Sequence, residues 1–261
     1  MYFTKQKPSW CLVTVFIMLL ILAIGVPAFA SVQEPQDTLF QVSTLTGLEH
    51  GVFYPTTTVG DLKQRGDTGV GAFEGMDGEL VLIGGKVFNA MYDGKVVAVV
   101  DDKTPITYGA AAFMNPNEKS ALQNIASYQA LQQKLDTLLP NPNIFYVFKI
   151  HGTFSYLKVR STAKQELPYP GLDSVIKNQS VFEFSNITGT LVGVRCPAYI
   201  KGVYAPGYHL HFISDDLQKG GHVLDLFVAD AEAQIGNLTN LHLLLPNGPG
   251  AKAIDLSIKA N

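Results

Sequence analysis

The chain has 261 residues, of which 47% are hydrophobic and 16% charged, a balance that excludes a disordered polymer, a collagen and a coiled coil. The length suffices for one large domain or two modest ones, each with a buried core. With 19 basic and 22 acidic residues the net charge is -3, so no basic excess exists to hold nucleic acid, and two cysteines exclude a disulfide scaffold or a multi-cysteine cluster.

Lys5 and Lys7 precede an apolar run from Trp10 to Val26, then Pro27 and Ala28-Phe29-Ala30. This is the layout of a signal peptide cut near Ala30. The run is short for a membrane span, which needs roughly 20 residues. The expectation is therefore an exported protein, periplasmic or extracellular, with no membrane contact after cleavage. Cys11 leaves with the signal, and Cys196 remains alone. A lone thiol between Arg195 and Pro197 has no neighbouring base and reads as buried and inert.

Residues 31–38 are polar. Phe40–His50 is compatible with a short helix or an edge strand. From there to Ile106 short apolar runs alternate with glycine, as in 69–73, 79–83, 86–88 and 95–100, and read as strands and hairpins. Residues 118–139 read as one helix, because Leu122, Ile125, Tyr128, Leu131, Leu135 and Leu138 recur at three and four residues. Pro140 ends it. Strands are expected at 144–150 and 154–159, a linker at 164–171, and a short helix at 172–177. Further strands are expected at 181–184, 189–194, 207–213, 222–229 and 242–245. The whole reads as an α+β chain. A mixed-sheet domain with a helix spans 31–165, and an antiparallel, barrel-like domain that binds metal spans 166–261.

Three of the six histidines fall within fourteen residues. His209 and His211 stand two apart on a predicted strand, so they share a face, while Leu210 and Phe212 point to the other. The polar stretch 214–221 ends in two glycines and suits a hairpin turn. The returning strand opens with His222 and brings a third imidazole beside the pair. Three neutral imidazoles with an open fourth position form a catalytic zinc site, although the residues alone fit zinc, iron, nickel or copper. His50, His151 and His242 are isolated and read as structural. Glu79 opens an apolar strand after Asp77-Gly78 and is a candidate acid or base, with a solvated turn carboxylate as the plain alternative. Arg160 is a candidate partner for a carboxylate, with a surface arginine as its alternative.

The sequence resembles the alpha-acetolactate decarboxylase family over nearly all of residues 31–261. The shared blocks are Phe40–Leu45, Gly71–Leu80, Asn143–Tyr146, Gly189–Gly193 and Pro197–Tyr199. The most specific are Gly207-Tyr-His-Leu-His-Phe212 and Gly220-Gly-His-Val-Leu-Asp225. The resemblance implies a zinc-dependent carboxy-lyase that converts (S)-2-acetolactate to (R)-acetoin and carbon dioxide, with zinc as the electron sink for an enediolate. It places the zinc ligands on His209, His211 and His222, and the active-site glutamate and arginine on Glu79 and Arg160. It also implies a two-domain subunit with a C-terminal barrel, and a homodimer. The family's second glutamate, near the C-terminus, has no counterpart here. No glutamate follows Glu232, and Asp255 is a methylene shorter. Two other readings share the His-x-His pattern: a cupin-like metal oxygenase, and an exported metal-binding module without catalysis.

Overall fold

A computed structural model describes residues 1–4 and 35–256. Most of the expected signal segment lies outside the described residues. Contacts divide the chain into two units, Met1–Glu34 and Pro35–Asn261, and everything below belongs to the second. Among the described residues no helix is long and apolar enough to cross a membrane.

The fold is α+β, as expected, and dominated by strands. The first sheet contains β1 (Thr38–Val42), β2 (Thr57–Thr58), β3 (Thr68–Phe73), β4 (Glu79–Ile83), β5 (Lys86–Ala90), β6 (Val96–Val99), β7 (Pro105–Ala112) and β13 (Asn240–Leu244). Its order is β13-β1-β7-β3-β4-β5-β6, with β2 paired to β7. It is mixed, because β1 runs parallel to β13 and antiparallel to β7. The second sheet contains β8 (Glu118–Ile125), β9 (Phe145–Ser161), β10 (Ser180–Cys196), β11 (Gly207–Ser214) and β12 (Gly220–Leu238). Its order is β11-β10-β9-β12-β8, and β11 also pairs with the start of β12. The expected C-terminal barrel is not borne out as such: this curved sheet draws β8 and β9 from upstream of residue 165, which lies between the paired strands β9 and β10.

The helix expected over 118–139 divides in two. Its first part is β8, paired antiparallel to β12 from Ile125–Val228 to Glu118–Ile235. Only the second part is helical, as Tyr128–Asp136 (α3). Ser127 fixes the boundary: its side chain caps the helix by accepting from the Ala130 N–H at 3.0 Å. The three-residue spacing of Leu122 and Ile125 is a helical one, but pairing to β12 overrides it, with Asn124 between them in the left-handed region at φ +52°. The segment Phe40–His50 is strand and then helix, and its strand is not the edge strand expected, since β1 lies between β13 and β7. It ends β1 and then forms a one-turn helix, Leu45–Glu49 (α1), capped by Thr44. The strands expected at 144–150 and 154–159 are a single β9, and those at 181–184 and 189–194 a single β10.

Packing follows the sheets. Leu131 and Leu135 of α3 sit with Phe148, Phe154, Leu157, Leu210, Phe212 and Leu226 in a core enclosed by the second sheet. Between the sheets, Val70, Val81 and Phe88 meet Val192 and Ile213, while Ala72, Tyr108 and Ala110 meet Phe145, Val147 and Val194. The far face of the first sheet buries Val59 and Leu62 of a further helix, Val59–Arg65 (α2). β3 is covered on both faces and reads Thr-Gly-Val-Gly-Ala-Phe without polar alternation. Each fully buried Leu or Phe contributes about 1.5–3 kcal/mol through removal from water, which holds the two sheets in fixed contact.

Candidate metal centre and its cavity

His209 and His211 lie on β11, and His222 lies near the start of β12. In the register, His211 faces His222 directly. Leu210 and Phe212 point the other way and are completely buried, so the alternation expected of this strand holds. The turn between the strands is built around Ser214, whose side chain donates to Asp216 at 2.6 Å and accepts from the Lys219 N–H at 2.9 Å. The three rings converge, with centroids 4.9, 4.8 and 5.3 Å apart. One ligand nitrogen from each lies within 4.8 Å of the others.

The nitrogens are oriented as well as close. His211 Nδ1 donates to the Leu80 carbonyl at 2.7 Å, so its Nε2 keeps a lone pair. That Nε2 lies 3.1 Å from His209 Nε2 and 3.4 Å from Glu79 Oε2. Tyr204 Oη lies 2.6 Å from His209 Nδ1. The buried Nδ1 of His222 has no hydrogen-bond partner among the described residues. Burial holds all three rings neutral. His209 is pushed down to about 3, with Arg160 adding to the effect of burial. His211 is held well below its usual range by burial and by His209, and His222 by burial and by Arg160. Neutral imidazoles are what a metal requires. An orphaned buried nitrogen, and two Nε2 atoms crowded on each other with that of His211 also against a carboxylate, are what a bound divalent cation satisfies. The residues therefore fit a metal ion.

Glu79 and Arg160 complete the site. Arg160 Nη1 donates to Glu79 Oε1 at 3.1 Å, and the two side chains are 13% and 4% exposed. Arg160 stands opposite His222 in the β9–β12 register. Burial raises the Glu79 carboxyl above its usual range, and Arg160 pulls it back in part. Neither plain alternative holds: Glu79 is not a solvated turn residue, and Arg160 is not on the open surface.

Local backbone sets Glu79. Gly78 turns the chain into β4 with φ +79°, and a Cβ there would meet Asn89 Oδ1 at 2.1 Å. The end of β9 is tied to the same turn. Thr162 Oγ1 donates to the Met76 carbonyl at 2.8 Å, Ser161 Oγ to the Ala90 carbonyl at 2.7 Å, and the Gly78 N–H to the Thr162 carbonyl at 3.0 Å. These bonds hold Arg160 of one sheet against Glu79 of the other.

A cavity of about 240 Å³ opens over the cluster, with His209, His222, Glu79 and Arg160 beside Leu45, Leu48, Met76, Tyr108, Leu172 and Tyr208. A few polar groups in an apolar wall make a small-molecule site. The remaining histidines take other partners. His50 Nδ1 donates to the Thr46 carbonyl, His151 pairs with Asp215, and His242 packs edge-on against Phe40. Cys196 is buried, and its thiol is pushed up to about 12. Sequence reasoning missed Tyr204, from a loop, Tyr108, from the middle of β7, and the apolar wall, none of which carries a motif.

Residues 39–257 match the family model described as alpha-acetolactate decarboxylase. A protein of that name from Methanosarcina mazei is 41% identical over 208 residues, covering 80% of this chain and 72% of its own length. Another of that name, from Brevibacillus brevis, is 39% identical over 222 residues, covering 85% of this chain and 77% of its own. The crystal structure of the Bacillus subtilis alpha-acetolactate decarboxylase superposes with a TM-score of 0.82 at 31% identity, covering 85% of this chain and 94% of that one.

Proposed function

This chain is a carboxy-lyase of the alpha-acetolactate decarboxylase family, and we propose that it converts (S)-2-acetolactate to (R)-acetoin and carbon dioxide at a zinc ion held by His209, His211 and His222. The observation that carries the reading is the convergence of three neutral imidazoles beside a buried Glu79–Arg160 pair in a small-molecule cavity.

When bound, a zinc ion supplies a Lewis acid that holds negative charge as carbon dioxide departs. The chain's own groups do the rest. The apolar wall of Leu45, Leu48, Met76 and Leu172 keeps water from the charge and strengthens each polar contact. Arg160 gives Nη1 to Glu79 and presents its remaining N–H groups to the substrate carboxylate, which orients the bond that breaks. Glu79 Oε1 is taken by Arg160, so Oε2 is the atom that hands a proton to carbon, and solvent resupplies the carboxyl with the one proton consumed for each carbon dioxide released. A carboxyl raised above its ordinary range suits that exchange near neutral pH. The three histidines that would hold the ion are neutral and would leave its charge uncompensated.

The reading extends to export after cleavage near Ala30, supported by Lys5, Lys7 and the apolar run that follows, and to a homodimer, supported by the family resemblance. The site is tested with His209→Ala, assayed for zinc content and for carbon dioxide released from racemic acetolactate. The variant should lose its zinc and at least ~100-fold in turnover. Undiminished turnover without metal would remove the Lewis-acid role.

A further inference from the structure

We propose that Tyr204 is a positioning residue for the metal centre: its phenolic oxygen accepts the Nδ1 proton of His209 and so turns the Nε2 lone pair of that ring toward the ion. The inference rests on the zinc reading above.

The geometry is specific. Tyr204 Oη stands 2.6 Å from His209 Nδ1. The phenol ring has no freedom to leave. It is 1% exposed, stacks on Tyr108 at 5.6 Å with a 12° interplanar angle, and packs 5.5 Å from the His209 ring. Its backbone is fixed by a bond from the Tyr204 N–H to the Ile200 carbonyl at 3.1 Å. Of the three rings, His211 has its Nδ1 held by the backbone at Leu80, and the Nδ1 of His222 has no hydrogen-bond partner among the described residues. His209 alone has this nitrogen held by a side chain. A ligating histidine keeps its orientation and tautomer through the hydrogen bond made by its other nitrogen.

A phenol is suited to this place. A hydroxyl both donates and accepts. Without an ion, Tyr204 donates to His209 Nδ1 and the proton on His209 Nε2 points at the His211 lone pair 3.1 Å away. With an ion, the ring carries its one proton on Nδ1 and Tyr204 accepts it. The ring gains and loses no net proton between the two arrangements. Being uncharged, the phenol orients the ligand without adding negative charge beside the ion, as a carboxylate in its place would.

The test compares zinc affinity of the full-length protein, by competition with a chelator, in wild type, Tyr204→Phe and Tyr108→Phe. Thermal midpoints of the metal-free proteins are measured alongside. Tyr204→Phe keeps the stacked ring and should weaken zinc binding by about 10–100-fold, while its metal-free midpoint stays near that of wild type. Tyr108→Phe should bind zinc as wild type does, because the Tyr108 hydroxyl makes no hydrogen bond to the triad. Equal zinc affinity in Tyr204→Phe and wild type overturns the proposal, as does equal loss in both variants, which would assign the effect to the stack. A wild type that binds no zinc removes the metal reading and this inference together. Nitrogen NMR of zinc-loaded wild type decides the matter if Tyr204→Phe does not fold. His209 should be protonated at Nδ1, and protonation at Nε2 overturns the assignment.

Discussion

Arg160 Nη1 meets Glu79 Oε1 at 3.1 Å, joining the end of β9 in one sheet to the first residue of β4 in the other. The bond makes the site a product of the interface between the sheets. It also couples chemistry to stability. Arg160→Lys should retain zinc and lose about 100-fold in kcat, since an ammonium cannot hold Glu79 and a substrate carboxylate in one plane. Metal analysis with steady-state kinetics checks this, and wild-type kinetics would reject the role of Arg160.

Removing the carboxylate leaves the guanidinium without its partner. Glu79→Ala should destabilise the fold by about 3 kcal/mol, the low end for a broken buried pair, because Arg160 keeps some contact with solvent. Glu79→Gln still accepts from Arg160 and should cost less. Denaturant unfolding of both variants measures the difference, and equal loss would mean that the pair does not hold the interface.

The three imidazoles give a signed pH dependence. Their folded pKa values are depressed, so the unfolded chain binds more protons than the folded one below the ordinary value of 6.5. Stability of the metal-free protein is therefore present above that pH and falls as pH drops from 6.5 toward the folded values, about 3 for His209. Each ring contributes a slope of about 1.4 kcal/mol per pH unit within that window. Glu79 acts oppositely. Its folded pKa is raised above 4.5, so its contribution is lost as pH rises through the folded value. His209→Gln should flatten the metal-free stability profile between pH 5 and 6.5 by one ring's slope (about 1.4 kcal/mol per unit). An unchanged profile would show that the ring is protonated in the fold.

Gly78→Ala should displace Glu79. The position has φ +79°, and its Cβ would overlap Asn89 Oδ1. A left-handed conformation costs a non-glycine residue about 1–3 kcal/mol, and here the turn must also shift. Turnover should fall while zinc content is kept, since no metal ligand sits on this turn. Wild-type kcat in the variant would separate Glu79 placement from the turn.

Cys196→Ala should leave kcat within about twofold of wild type, because the buried thiol is held up at about 12 and has no thiolate at neutral pH. Loss of activity with zinc retained would show chemistry at sulfur.

The three-histidine cluster is legible in the sequence because two local rules suffice to assemble it. Alternation along β11 puts His209 and His211 on one face, and the polar turn at 214–221 returns the chain so that His222 faces His211. Glu79 and Arg160 were candidates from local sequence, but their meeting is a tertiary fact that no spacing encodes. Tyr204 was not legible, since it reaches His209 from a loop. Among the elements, β8 reads as helix because Leu122 and Ile125 carry the three-residue spacing of α3 back into it, and the pairing to β12 that makes it a strand is a tertiary fact. The two strands expected at 144–150 and 154–159 are continuous through Gly152. In the structure Gly152 is a mid-strand close approach, where a Cβ would meet Asp230 O at 2.2 Å.

The central claim is that a divalent ion on the three imidazoles accepts the charge released with carbon dioxide. It is tested most directly by stripping the wild-type protein of metal and restoring zinc in steps while acetoin formation is followed. The account predicts negligible turnover in the stripped protein and a linear return that saturates at about one zinc per chain. Full turnover in the metal-free protein would contradict it.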